Sequence, residues 1–438
     1  MDGLKIVVIG GGSSYTPELI NGFILRKDEL EVGEIVLVDI ETGREKVEIV
    51  SRLAERMIEK AGLQTKISLS FNRKEALENA DYVVTQFRVG GLEARGKDER
   101  LPLKYNVIGQ ETCGPGGFAK ALRTIPVVLD ICKEIEEICP EAWLINFTNP
   151  SGMVTEAVKK YTKVKCLGLC NVPIHMKMDF AKALDLKPES LFVEFAGLNH
   201  LVWAKSIWQD GQEITAKVID AMTDTAQLTM KNIPAMPWDA DYLKAVGMLP
   251  SPYHRYYLMT DDMVAEEKEA ASIEGKGTRA EVVQGVEDKL FEIYKDTQLN
   301  TKPKELENRG GAYYSDAAVS LISAIHNDKN EIHTVNILNA NIFSDLPKDC
   351  VIETNAVVGK HGAVPLALKS PMDEGAMGLI HAVKSYEILT VEAAATGNRD
   401  KALMALVANP LLPSVKVAKE ILAELLEVNR DYLPLFSK

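Results

Sequence analysis

Leu4-Lys5-Ile6-Val7-Val8-Ile9, followed at once by Gly10-Gly11-Gly12-Ser13-Ser14-Tyr15 and then Thr16-Pro17, decides the fold. The apolar run reads as a short strand, the glycines as a tight turn, and Pro17 suits the first turn of a helix. Strand, glycine turn and helix N-terminus in this order present backbone N–H groups to a pyrophosphate. Gly10 and Gly12 match the first two positions of a GxGxxG fingerprint, whereas Tyr15 stands where the third glycine belongs. The second strand strengthens the reading. Glu34-Ile35-Val36-Leu37-Val38 ends in Asp39, placed to accept hydrogen bonds from a ribose diol and to repel a 2′-phosphate, so NAD is expected rather than NADP.

Working outward, further strands read at Lys66 to Phe71, Tyr82 to Phe87, Trp143 to Asn146 and Val164 to Leu169, alternating with helical periodicity. That alternation predicts a Rossmann-like, doubly wound parallel sheet, whose ligands gather at the carboxyl ends of its strands. Polar clusters follow the strands. They are Gln86-Phe87-Arg88-Val89-Gly90-Gly91 with Arg95 a turn further on, Asn146-Phe147-Thr148-Asn149-Pro150-Ser151, and Gly168-Leu169-Cys170-Asn171-Val172-Pro173. Gly109-Gln110-Glu111-Thr112 opens a glycine-rich loop, and Gly197-Leu198-Asn199-His200 ends the apolar run Leu191 to Ala196. Arg88 and Arg95, beside glycines at a sheet edge, suit an anion, although surface ion pairing is the ordinary fate of arginine. Cys170 and His200 make half a metal site, or else a buried thiol and a hydrogen-bonded histidine.

The second half is less regular. A strand reads at Val202 to Trp208, turning at Asp210-Gly211, and a helix at Ala216 to Asn232. One continuous charged helix reads from Glu266 to Tyr294, carrying Arg279 inward, and a small-residue helix from Ala312 to Ala324 beside the nicotinamide. Strands at His333 to Leu338 and Cys350 to Val358 precede helices at Gly375 to Ala395, Asp400 to Leu406 and Val415 to Asn429. At 438 residues two domains are expected: an NAD-binding Rossmann-like domain over 1–195, and an α+β domain over 196–438 for substrate, metal and oligomerisation.

A formal charge of −13 without a basic block argues against nucleic acid and anionic membrane as partners. A small molecule remains, and individual arginines decide its charge because salt screens distant groups beyond roughly 8 to 10 Å. Six scattered cysteines without CxxC spacing suit a reducing compartment. Met1 leads straight into a strand, and no window approaches the roughly 18 apolar residues of a membrane span, so a cytoplasmic protein is expected.

The ordered motifs IGGGSSYTPEL, QFRVGG, RGKDE, IGQETCGPGG, NFTNPSG, LCNVP, GLNH, PSPYHRYYLMTD and Arg309-Gly310-Gly311 span almost the whole chain. Together they resemble glycoside hydrolase family 4, the NAD- and metal-dependent glycosidases, and within it the members that cleave 6-phospho-β-glucosides. Cys170-Asn171-Val172-Pro173 is similar to the tetrapeptide of that branch; phospho-α-glucosidases have Cys-Asp-Met-Pro. The resemblance implies Cys170 and His200 as ligands of a divalent ion, usually manganese, Tyr253 as catalytic base and Glu111 as the residue raising its basicity. Tyr256 remains a second candidate for the base. It also implies substrate or phosphate contacts at Arg95, Asn149 and Arg279, to which Asn171 and, from its place at the sheet edge, Arg88 are added. Asn171 belongs as well to the catalytic group, although as an amide it cannot be a general acid. Gly10, Gly12, Ser13, Ser14 and Asp39 fall in the nucleotide site. A homodimer or homotetramer is implied too.

The implied reaction explains an odd combination, a hydrolase-like motif set with a nucleotide loop and no obvious pair of catalytic carboxylates. Hydride leaves C3 of the sugar for NAD, the ketone acidifies C2–H, a base removes that proton, the C1 substituent is eliminated, and water addition with reversal returns the cofactor. Two alternatives stay open at this point. One is an NAD-dependent 2-hydroxyacid or sugar dehydrogenase of lactate/malate type, which would have no use for Cys170; the other is a 6-phospho-α-glucosidase of the same family.

Overall fold

The computed structural model describes residues 3–436 except 226–232, 235, 273, 275 and 310–312. Six strands come first: β1 (Leu4–Ile9), β2 (Val32–Val38), β3 (Lys66–Ser70), β4 (Tyr82–Thr85), β5 (Trp143–Asn146) and β6 (Lys165–Gly168). They pair in parallel in the order β3-β2-β1-β4-β5-β6, the doubly wound arrangement expected. The near-continuous apolar runs of β1, β4 and β5 follow from burial on both faces, whereas β3, at the sheet edge, alternates polar and apolar residues. Within β1, Ile6 and Val8 enter one core with Leu19, Phe23, Val50 and Ile322, while Val7 and Ile9 enter another with Phe118, Leu122, Val154 and Ile380. Each such side chain contributes about 1.5–3 kcal/mol when fully removed from water.

The sheet does not stop at β6. β7 (Leu191–Leu198) and β8 (Leu201–Gln209) form a hairpin followed by the short β9 (Gln212–Glu213) and β10 (Leu249–Pro250). With β11 (Glu331–Leu338), β12 (Val351–Gly359) and β13 (Gly362–Pro365) they make an antiparallel extension. The join is made where Asn336 of β11 pairs with Gly168 of β6, and the path continues β11-β12-β7-β8-β10 in one 13-stranded sheet. A third core forms over β7 and β8 from Phe180, Val193, Phe195, Ile207 and Tyr256, and Cys170 and Tyr253 belong to it.

Several expected elements are corrected. The strand from Tyr82 ends at Thr85, because Gln86 turns away and donates from its amide to Thr16 Oγ1 at 2.8 Å. The helix expected over Glu266 to Tyr294 is two helices, Thr260–Ala270 and Arg279–Tyr294. The break follows from Gly277 at φ +86° and from Thr278, which turns extended and starts the second helix with a capping box to Glu281. Arg279 is thus at a helix start rather than along a face. The helix expected from Ala216 is Thr215–Thr225, its remainder to Asn232 lying outside the described residues. Gly310, Gly311 and Ala312 also lie outside them, and the following helix is Tyr314–His326. Among the described residues no helix is long and apolar enough to cross a membrane.

Candidate active site

The nucleotide loop has the conformation its glycines allow. Gly10 adopts φ +89°, and a Cβ there would meet the Gln86 carbonyl oxygen at 2.9 Å. Asp39, at the end of β2, accepts from the backbone N–H of Gly12 at 2.7 Å and of Ile40 at 2.8 Å, which fixes the carboxylate beside the loop. Ser13 Oγ accepts from the Tyr15 N–H at 3.2 Å, and the buried Ser14 donates to Glu287 at 3.1 Å. Tyr15, in place of a third glycine, carries the Arg309 guanidinium over its ring at 4.8 Å, and Arg309 also donates to Glu287 at 2.8 Å. A strand-end acid, an N–H-lined turn and a helix start fit a dinucleotide. Neither Glu287 nor the Arg309–Tyr15 stack was visible in the sequence, since they join segments far apart in the chain.

Cations gather along the strand ends next to this loop. Glu111 receives Arg88, Arg95 Nη1 at 3.2 Å and Lys120 Nζ at 2.7 Å, and these charges hold its carboxyl well below the usual range against the opposing effect of burial. One carboxylate does not balance three cations. Lys120 is accordingly pushed down to about 7 by burial and by the adjacent Arg88. Arg95 donates to Glu99 Oε1 at 2.7 Å while Glu99 Oε2 accepts from the Ala280 N–H at 2.8 Å, so one carboxylate ties Arg95 to the start of the helix bearing Arg279. Arg279 donates to the Arg309 carbonyl at 3.0 Å and has no carboxylate partner among the described residues; its Nε is buried without a hydrogen bond. Among the described residues Arg88, Arg95, Lys120, Arg279 and Arg309 stand against Glu99, Glu111 and Glu287, and Asp98 beside them is already held by Arg123, which leaves a local excess of positive charge in an acidic protein. A cavity of about 280 Å³ opens beside it, with Arg95, Gln110, Tyr256, Thr278 and Arg279 in its wall.

The candidate metal ligands meet through Asn199. Its side chain lies beside the Cys170 sulfur and favours the thiolate, and the next residue is His200, held in the left-handed region at φ +63°. Burial, with Glu353 nearby, pushes the Cys170 thiol up, but the sulfur also accepts from the Val172 N–H at 3.5 Å. Burial lowers His200 to about 3, so its imidazole is neutral and keeps a lone pair for coordination. A cysteine sulfur with N–H donors, which must lose its proton as the ion binds, and a neutral imidazole form a donor set a divalent ion takes. Among the described residues no group of three or more His, Cys, Asp and Glu side chains is arranged for a metal, so remaining coordination positions would fall to other donors.

Tyr253, in the short turn Pro252–His254, lies flat on His200 with ring centroids 3.9 Å apart and planes within 6°. Arg95 interacts electrostatically with it. Tyr256 is 6.1 Å from Tyr253, buried, and pushed well above the ordinary tyrosine value by that burial. Asn149 accepts from the Ser151 N–H at 3.2 Å on the loop after β5, and Asn171 immediately precedes the helix Val172–Ala183 after β6. Sequence reasoning overlooked Thr112, Lys120, Asn199 as a ligand-orienting residue, and Glu353. A lysine inside the apolar run Phe118-Ala119-Lys120-Ala121-Leu122 was the one available signal, since such a charge must find a buried partner.

With this geometry in view, the relatives are informative. "Probable 6-phospho-beta-glucosidase" of Bacillus subtilis (strain 168) is 55% identical over 99% of this chain and 98% of its own length. "6-phospho-beta-glucosidase" of Escherichia coli (strain K12) is 45% identical, covering 99% of this chain and 97% of that protein. A 6-phospho-beta glucosidase from Thermotoga maritima, solved with manganese, NAD+ and glucose-6-phosphate, superposes with a TM-score of 0.88 at 38% identity over 98% of this chain and 99% of that one. The family model "Family 4 glycosyl hydrolase" matches residues 5–186, and "Family 4 glycosyl hydrolase C-terminal domain" matches 195–412. The two matches leave only short segments unassigned, and the chain belongs to the family 4 glycosyl hydrolases.

Proposed function

We propose that this chain hydrolyses 6-phospho-β-glucosides, such as cellobiose 6-phosphate, to glucose 6-phosphate and an aglycone by C3 oxidation, C2 deprotonation, elimination and water addition. The observation that carries the reading is the Tyr253–His200 stack, which puts a phenol against a candidate metal ligand and beside the cations around Glu111. When bound, NAD would supply a hydride acceptor, and a divalent ion such as Mn2+ would supply Lewis acidity toward the sugar oxygens, an effect of several kcal/mol. Cys170 and His200 would hold the ion. Gly10, Gly12, Ser13, Ser14 and Asp39 seat the cofactor. Tyr253 takes the C2 proton, with the Arg95 charge favouring its phenolate. Arg88, Arg95, Asn149, Asn171 and Arg279 bind the sugar phosphate, for which a local cationic excess and a guanidinium without a carboxylate are suited. We assign 1–195 to cofactor binding and 196–438 to substrate, metal and subunit contacts. A cytoplasmic homodimer or homotetramer is supported by six free cysteines and by Met404 and Val407, exposed one turn apart on the helix Arg399–Ala408.

The test is release of p-nitrophenol from the β-glucoside 6-phosphate, its α-anomer and the unphosphorylated β-glucoside, with NAD and Mn2+ each added or withheld under reducing conditions. Cleavage of the phosphorylated β-substrate alone, needing both additions and abolished by Cys170→Ser, is expected. Cleavage of the α-anomer instead, or reduction of NAD by hydroxy acids with every glycoside intact, overturns the proposal.

A further inference from the structure

The loop after Gly109 contains a chain of hydrogen bonds whose direction can be worked out from its fixed end. Gln110 Oε1 accepts from the backbone N–H of Thr112 at 2.6 Å and of Cys113 at 2.8 Å. Backbone N–H groups only donate, so the amide cannot be flipped. Thr112 Oγ1 lies 2.8 Å from the same oxygen, and two oxygens this close need a proton between them; the hydroxyl therefore donates to Gln110. His200 Nδ1 lies 2.8 Å from Thr112 Oγ1, whose proton is already committed, so Nδ1 carries the hydrogen and donates. Among the described residues no partner hydrogen-bonds Nε2.

We propose that Gln110 and Thr112 are positioning residues that lock His200 as the Nδ1–H tautomer and so present the Nε2 lone pair to a divalent cation. The inference rests on the reading of His200 as a metal ligand and adds the residues that make it one. Neither group touches the cation; both act through the imidazole. The stack of Tyr253 on the same ring means that this relay also fixes the plane on which the phenol lies.

Mn2+ affinity, measured by titration of the free-ion electron paramagnetic resonance signal in the presence of NAD, reads the relay without turnover. Thr112→Val keeps the side-chain shape and removes the acceptor, and loss of such an outer partner weakens metal binding by about 10- to 100-fold. Thr112→Ser restores the hydroxyl and is expected to bind Mn2+ within about threefold of the unsubstituted protein, a difference under 1 kcal/mol. A Thr112→Val protein that binds NAD normally and Mn2+ as tightly as the unsubstituted one overturns the relay alone. Unaltered Mn2+ affinity in His200→Gln overturns the metal site itself. Long-range ¹H–¹⁵N spectra of histidine-labelled, metal-free protein, with His200 assigned by that same substitution, decide the tautomer even if Thr112→Val fails to fold. An Nδ1–H signal supports the relay and an Nε2–H signal overturns it.

Discussion

A phenol that titrates near 10 in water is a weak base at neutral pH, and Tyr253 sits where two neighbours change its prospects, the His200 ring beneath it and the Arg95 charge beside it. Tyr253→Phe keeps the stacked ring and removes only the proton acceptor. We expect kcat to fall by about 10²- to 10⁴-fold with NAD affinity unchanged, the loss ordinarily seen for a general base. Exchange of the C2 proton with D₂O should be lost in parallel; retention of that exchange would move the base elsewhere. Tyr256→Phe, at a buried phenol held firmly neutral, should leave exchange intact. Glu111 makes a separate prediction, because Arg88, Arg95 and Lys120 converge on it. Glu111→Gln removes the carboxylate shared by the buried Arg95 and Lys120 and the half-buried Arg88 and should destabilise the protein by about 3 kcal/mol. The sign with pH follows from its depressed pKa: the carboxylate's contribution is complete above its unfolded value and is lost as pH falls through the lower folded one. Urea midpoints of the two proteins should therefore converge as pH falls below about 4.

Elements differ in how plainly the chain announced them. β1, β5 and the loop Gly10–Gly12 were legible because a short buried parallel strand is a run of apolar residues and its turn needs glycine. The helix over Glu266 to Tyr294 was misread because its charged residues continue across a break set by two local features, Gly277 and the capping box Thr278 to Glu281. That box was in the sequence and outweighs helical composition. Thr112 on His200 and Arg309 over Tyr15 were not legible in spacing, because each contact joins segments far apart in the chain. The helix Thr260–Ala270 is docked in this way. Glu267 accepts from the Gly109 N–H at 2.8 Å, and burial, with Glu99 and Glu266 nearby, raises its carboxyl to about 8. A carboxyl raised on folding binds a proton that the unfolded chain has lost, so its contribution weakens as pH rises from the unfolded value to the folded one, by at most roughly 1.4 kcal/mol per pH unit. Glu267→Gln retains an accepting oxygen and removes the titration. Its urea midpoint should fall less between pH 5.5 and 8 than that of the unsubstituted protein; equal slopes would mean that Glu267 is ionised throughout.

On the scale of the whole molecule, the parallel half and the antiparallel extension are not separate bodies joined by a tether. β11 comes from the last third of the chain yet pairs with β6, and β12 bridges it to β7, so the division between 195 and 196 falls inside one strand of a continuous sheet. Side chains obey the same arrangement. Ile145 and Leu167 share a core with Val335 and Ala356, and Leu144 and Cys166 share another with Ile352 and Tyr386. Separating the halves would bare both faces of β6 and an unpaired edge, which water cannot compensate for the apolar area. The cofactor loop and the metal pair should consequently lose their structure together, although the first family model matches the loop and Cys170 and the second matches His200. Calorimetry of the full chain should show one cooperative transition, and NAD at about 100 times its Kd should move all of it, by the roughly 2.7 kcal/mol that mass action prescribes. A second transition unmoved by NAD would show that the C-terminal half melts by itself. The pairing of β6 with β11 would then be a docking contact, and the site between them would have to assemble from two independently stable parts.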